Sequence, residues 1–219
     1  MVRLLNLPKN IALNEVYACG MQVPQCPFWN KIVARLSKDL AVDIQQNPYS
    51  LDLGYLNARS VVDKRHQTFF YNIKREFHLG IRYAQLRYGL HFLSFLTRSI
   101  VQSYANNFRL YDHAIEISGA DLIVDSSKTY LKAVGLYKLD PKKVRIIQLV
   151  RDGRGVFYSG LKRGCSRSES LNAWEKHYSR ALPIFRKHIN PVHILRVKYE
   201  DLAQDTRAYS YADLRICRR

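Results

Sequence analysis

The sequence predicts an α/β fold with a parallel sheet flanked by helices, and three observations carry that expectation. Short apolar runs rich in β-branched residues alternate with segments whose apolar residues recur every three or four positions. The clearest run, Val144 to Val150, passes through a charged turn, Arg151-Asp152-Gly153-Arg154-Gly155, directly into a helical pattern at Val156, Phe157, Gly160 and Leu161. Two loops with chemical potential, Asp125 to Lys128 and Arg151 to Gly155, follow such runs. They therefore stand at the carboxyl ends of strands, where open parallel sheets bind their ligands.

Taken in order, residues 1–18 carry no strong motif, and residues 19–29 form a Pro- and Cys-punctuated loop that docks Phe28 and Trp29 on the core. Ile32, Val33, Leu36 and Leu40 mark a short amphipathic helix, and Asn47 to Asn57 reads as a connection. Residues 64–117 are rich in aromatic and basic groups, with Leu93, Leu96, Ile100, Tyr104, Phe108 and Tyr111 at helical spacing. Two or three packed helices are expected there, an aromatic core with a solvated basic face. Gly119 ends the last of them. Leu122, Ile123 and Val124 form a short strand, and Leu131, Val134 and Leu136 a helix stopped by Asp140-Pro141. Beyond the central turn, Leu171 to His188 is a helix with Leu171, Trp174, Tyr178, Leu182 and Phe185 inward. Val192, Ile194, Val197 and Tyr199 give a last strand, ending at Glu200-Asp201.

The central turn points to anion binding. A strand, a turn and a helix in that order aim the helix's unpaired N–H groups at whatever lies beyond the strand. Arg151 at the tip and Ser159 in the helix can converge on one anion, and a planar guanidinium grips a phosphate with two parallel bonds. The plainer reading is a βα turn with a solvated arginine. For Asp125-Ser126-Ser127-Lys128 the plainer reading is helix capping, and for Glu200-Asp201 it is capping and surface charge, which is the better account of that pair.

Arg151 followed eight residues later by Ser159, in the form R-D-x-R-x-V-x-x-S, resembles the 3′-phosphate-binding motif of PAPS-dependent sulfotransferases, in their carbohydrate and bacterial branches. Asp121-Leu-Ile-Val-Asp-Ser-Ser-Lys128 resembles the strand and loop before that motif, and Val197-Lys-Tyr-Glu-Asp-Leu202 a later segment of the family. Cys19-Gly20 through Cys26-Pro27-Phe28-Trp29 is similar to a Cys-Pro-Phe-Trp stretch of bacterial members. The resemblance implies a single sulfotransferase domain over 1–219, a P-loop-NTPase-like parallel sheet with a helical insertion at about 64–117. It implies sulfonate transfer from PAPS to a hydroxyl or amine acceptor, with carbohydrate one candidate among lipid, peptide and small phenol. Arg151 and Ser159, with Arg154 and Arg163 beside them, would bind the nucleotide. Lys128 would stabilise charge near the bridging oxygen, with Asp125 as base or as an orienter of Lys128. No glycine-rich 5′-phosphosulfate turn precedes Cys19, and the tail from Thr206 has no match in the family pattern, so a domain lacking both ends is expected.

The composition bounds the partners. The net charge of +17 and a pI near 9.9 favour anionic ones. An inactive relative that binds nucleotide weakly is the alternative within the family. A basic nucleic-acid binder is the alternative outside it, opposed by core-like aromatic spacing and by the lack of a helix-turn-helix, RNP or zinc-finger pattern. No nucleic-acid partner is therefore expected. The four cysteines fit no disulfide framework, and Cys19 and Cys26, with His66 distant, fit no metal pattern, so no metal is expected. No run is apolar and long enough to span a bilayer and the first residues lack a signal peptide's apolar core, so a bacterial cytoplasmic protein is expected.

Overall fold

The computed structural model describes residues 20–22, 24–54, 69–126 and 129–206, in two compact units, Met1–Thr129 and Tyr130–Arg219. The fold is α/β.

The first unit is helical. Helix α1, Pro27–Leu40, begins on a proline whose missing N–H costs nothing at a helix start, and it buries Trp29, Ile32, Val33 and Leu36. These pack with Cys26, Ile44, Leu51 and Leu53, and with Leu110 and Ala114 of helix α3, Arg98–Ser118. Phe28 packs against the same cluster, so both expected aromatic anchors are in place. The buried amides of Asn106 and Asn107 donate to the carbonyls of Asp52 and Leu53, each at 2.9 Å, which ties the loop to α3 and satisfies the buried Leu53 carbonyl. Helix α2, Phe69–Tyr88, leads to α3 through a 3₁₀ helix, His91–Thr97. Gly119, at φ 65°, closes α3 in the left-handed conformation that its missing Cβ permits.

Two expectations in this unit fail. Ile100 and Tyr104 are buried, but Phe77, Tyr88, Phe92 and Phe95 are exposed, so the aromatics of this region do not all serve its core. Leu122–Val124 is not a strand: residues 122–126 have no regular secondary structure and no ladder partner among the described residues, and Leu122 and Val124 are exposed. Three apolar residues are too few to secure a strand without a neighbour to pair with.

The second unit contains the sheet. Helix α4, Tyr130–Leu139, precedes strand β1, Ile146–Val150. Helices α5, Gly153–Lys162, and α6, Arg167–His188, then cross over to strand β2, Ile194–Lys198, and the short helix α7, Tyr199–Gln204. The strands are parallel, with Ile146 opposite Ile194 and Val150 opposite Lys198. Among the described residues the sheet has these two strands. Ile146, Gln148 and Val197 face inward, while Ile147 and Leu149 are exposed on the other face. Val192, expected in the last strand, sits in a 3₁₀ turn, Pro191–His193, because Pro191 and the Asn190 side chain, which accepts from the Val192 N–H, favour a turn.

Helix α6 starts earlier than its apolar pattern suggests. Ser166 and Glu169 form a reciprocal capping box that satisfies two orphan N–H groups. Its inward face is also shifted in part from the expected one: Phe185 is buried as expected, together with Ser170, Ala181 and Ile184, whereas Leu171 and Trp174 are exposed. The cause is the close approach of α5. A Cβ placed on Gly160 would lie 2.4 Å from the Ser170 Oγ, so the two helices meet at Gly160 and Ser170.

Candidate functional site

The β1–α5 turn is held by two elements of its own unit, α6 and α7. The Arg151 N–H donates to the Tyr178 hydroxyl at 3.3 Å, and the Trp174 indole N–H donates to the Arg151 carbonyl at 3.1 Å. Both partners lie one turn apart on α6, with ring centroids 4.7 Å apart. The next N–H, that of Asp152, donates to a Glu200 carboxylate oxygen at 3.0 Å, so α7 braces the turn from the β2 side. Gly153 lies against Trp174, and a Cβ there would stand 3.2 Å from the indole.

Asp152 caps α5. Its carboxylate accepts the Arg154 N–H at 2.7 Å and pairs with the Arg154 guanidinium, also at 2.7 Å. The Arg154 side-chain bond, followed by the backbone N–H, pulls the Asp152 carboxyl down to about 2. The expectation that α5 offers its N-terminal N–H groups outward is therefore corrected in part. The chain's own carboxylate accepts the Arg154 N–H, and Arg154 itself is spent on that carboxylate while its side chain stands in solvent.

Arg151 is different. Its guanidinium lies over the Tyr199 ring, 4.7 Å from the centroid, and has no carboxylate partner among the described residues. It rests against Gly155, where a Cβ would meet the Arg151 Nε at 3.2 Å. Ser159 lies one turn beyond Gly155 on the same helix face, about 5–6 Å along it. It is half-buried, and its hydroxyl has no hydrogen-bond partner among the described residues. A guanidinium without a carboxylate partner and a hydroxyl without a hydrogen-bond partner among the described residues thus belong to one strand-turn-helix beyond the carboxyl end of a parallel strand, an arrangement able to grip an oxyanion. Arg163, at the end of α5, donates through Nε to the Ser159 carbonyl at 3.0 Å and is exposed.

In the first unit, Asp125 accepts a hydrogen bond from the Tyr111 hydroxyl. Burial, followed by the Asp125 charge, pushes the Tyr111 phenol well above its usual range. Lys128 and Ser127 lie outside the described residues, as does Cys19. Among the described residues no His, Cys, Asp and Glu side chains gather into a metal-binding group, Cys165 is a free thiol, and no helix is long and apolar enough to cross a membrane.

Four supports of the turn escaped the sequence reading. Trp174 and Tyr178 read as core residues of α6, and Tyr199 as the end of a strand. Glu200 read as surface charge, although its carboxylate accepts the Asp152 N–H. A signal was present for the first pair: aromatics with polar tips at i and i+4, flanked by Glu175 and Lys176, suit a half-wet position better than a dry core.

Residues 58–210, more than half of the chain and including the whole β1–α5 turn, match the model of the Sulfotransferase family. The chain belongs to the sulfotransferase family, whose chemistry is the transfer of a sulfonate group. Neither the curated proteins nor the solved structures give a match.

Proposed function

We propose that this chain transfers a sulfonate group from PAPS to a hydroxyl or amine acceptor, as one sulfotransferase domain over 1–219 with a P-loop-NTPase-like sheet. One observation carries the reading: the Arg151 guanidinium, held on the Tyr199 ring and without a carboxylate partner among the described residues, rests against Gly155, one helical turn before Ser159. Two such donors suit a phosphate monoester such as the 3′-phosphate of PAPS, which carries up to two charges and several acceptor oxygens. In this reading PAPS supplies the activated sulfonate. Arg151 and Ser159 bind its 3′-phosphate, Arg163 adds positive potential along the exposed edge of α5, and Arg154, held on Asp152, secures the cap of that helix beside the nucleotide. Lys128 neutralises charge on the leaving phosphate oxygen, an interaction worth more in the transition state than in the ground state. Asp125 takes the acceptor's proton or orients Lys128. Carbohydrate is one candidate acceptor beside lipid, peptide and small phenol.

Calorimetry with PAP and with AMP, which lacks the 3′-phosphate, tests the clamp. Arg151→Ala removes charge-assisted bonds worth about 1.5–3 kcal/mol each, so PAP affinity should fall at least about tenfold while AMP affinity barely changes. Equal losses for both nucleotides would sink the assignment. Transfer of labelled sulfonate from PAPS separates a working enzyme from an inactive relative. In an active preparation Lys128→Ala should lower kcat by roughly a hundredfold with PAP affinity little changed.

A further inference from the structure

From Phe77 to Tyr111 the chain contains Arg82, Arg87, Arg98 and Arg109 and not one aspartate or glutamate. At the centre of this acid-free stretch lies the 3₁₀ helix His91–Thr97, which joins α2 to α3. With three residues per turn, side chains at i and i+3 of such a helix stand directly above one another. The segment therefore has three rows. Leu93 and Leu96 form a half-buried row, and His91, Ser94 and Thr97 a polar one whose last member is buried. Phe92 and Phe95 form the third, and they are 72% and 71% exposed.

These phenylalanines are not in water because the segment is slack. The Thr97 hydroxyl donates to the Gln85 side-chain oxygen at 3.1 Å, and Arg82 donates to the same oxygen at 3.2 Å. Thr97 and Gln85 are each only 1% exposed, so a buried polar tie fastens the segment to α2 while its phenylalanine edge points away. Side chains this exposed have little protein around them, which describes a projection rather than a groove. Basic groups bracket it. Arg87 lies over the ring of Tyr88, itself 65% exposed at the end of α2, and Arg98 opens α3, exposed and without an ion-pair partner among the described residues.

We propose that the Phe92–Phe95 edge, with Tyr88, Arg87 and Arg98 around it, seats the protein on an anionic lipid surface. A projecting pair of phenylalanines needs no matched pocket in a bilayer, because acyl chains rearrange around it at the headgroup boundary. Arginines at its base reach lipid phosphates and carboxylates while their stems stay with the apolar layer. The absence of acidic side chains from the whole stretch removes the repulsion that an anionic leaflet would otherwise meet, and the net charge of +17 adds long-range attraction. The attachment is peripheral and reversible.

Flotation of the full chain with vesicles of phosphatidylcholine alone, and with vesicles mixed with phosphatidylglycerol, tests this. The chain should float with the mixed vesicles and not with the neutral ones. The F92S/F95S double variant should lose roughly tenfold or more in partitioning per phenylalanine. R87Q/R98Q should lose about fivefold per arginine. Because both phenylalanines are exposed, F92S/F95S should keep the wild-type melting temperature, which shows that a loss of binding is not a loss of fold. Equal flotation of the wild type and F92S/F95S would overturn the proposal in favour of general attraction of a basic surface. So would failure of the wild type to float at all, including the case in which it instead self-associates through this edge. Nucleotide affinity plays no part in the readout, so this result and that of the sulfotransferase reading can fail separately.

Discussion

The guanidinium of Arg151 lies over the ring of Tyr199, 4.7 Å from its centroid, although the two residues are on different strands' ends and far apart in sequence. The register explains the meeting: Val150 pairs with Lys198 across the parallel ladder, so the residues that follow each leave the sheet side by side. A cation held over an aromatic face keeps its N–H edge available, whereas one paired with a carboxylate does not. Tyr199→Ala should therefore lower PAP affinity about two- to fivefold by loosening Arg151, as expected of a contact worth about 0.5–1 kcal/mol. Tyr199→Phe should keep most of it. Calorimetry on both variants checks this, and an equal loss in the two would point to the hydroxyl instead of the ring face.

Gly155 leaves room for the same guanidinium. In Gly155→Ala the new methyl would stand 3.2 Å from the Arg151 Nε, so the flexible arginine must shift by a few tenths of an ångström or more. Alanine also favours the helix by about 0.5–1 kcal/mol over glycine. The variant should thus melt at or slightly above the wild-type temperature and yet bind PAP more weakly. Weaker binding with a lower melting temperature would mean that α5, not Arg151, had been disturbed.

The cap of α5 has a pH signature. Asp152 titrates at about 2 in the fold against an ordinary 3.8, chiefly through its bond to the Arg154 side chain. The folded value is depressed, so the cap's contribution is fully present above 3.8 and is lost as pH falls through about 2. Carboxyl-carbon NMR should find Asp152 still ionised at pH 3. Arg154→Ala should raise its midpoint toward the ordinary value without reaching it, since the backbone N–H remains. A midpoint unmoved by that substitution would remove Arg154 from the account.

How much of this was legible follows the reach of each interaction. Strand β1 and helix α5 were readable because Ile146, Ile147, Leu149 and Val150 form a strand-length apolar run and the glycine-rich turn separates two periodicities. That Arg151 and Ser159 belong to one strand-turn-helix was readable from their spacing. What held Arg151 was not. Tyr199 and Glu200 reach the turn only through the pairing of β1 with β2, a register that spacing within either strand does not encode. Leu122–Val124 shows the converse, since an apolar run becomes a strand only where a ladder partner exists and none lies among the described residues. The shift in the inward face of α6 likewise depended on a neighbour, because Gly160 on α5 decides which face of α6 can come close.

That contact supports the last prediction. Gly160 is buried, and a Cβ there would lie 2.4 Å from the Ser170 Oγ and 2.9 Å from its Cβ. The serine cannot simply swing away at no cost, because it is 3% exposed and its hydroxyl donates to the Ser166 carbonyl at 2.9 Å, beside the capping box of α6. In an open helix Gly→Ala would stabilise by up to about 1 kcal/mol. At a contact this tight, overpacking costs about 1–3 kcal/mol and should win. Gly160→Ala should therefore lower the melting temperature, and Ser170→Gly in the same chain should recover part of the loss by emptying the space the methyl needs. The double-mutant cycle should show coupling of the size expected for residues in contact, about 0.5–3 kcal/mol. The displacement should also reach the turn, because α6 carries the Tyr178 and Trp174 groups that hold both backbone atoms of Arg151. PAP affinity should accordingly fall in Gly160→Ala and return in the double variant. If Gly160→Ala instead stabilises the protein and leaves binding unchanged, α5 and α6 do not meet at these two residues.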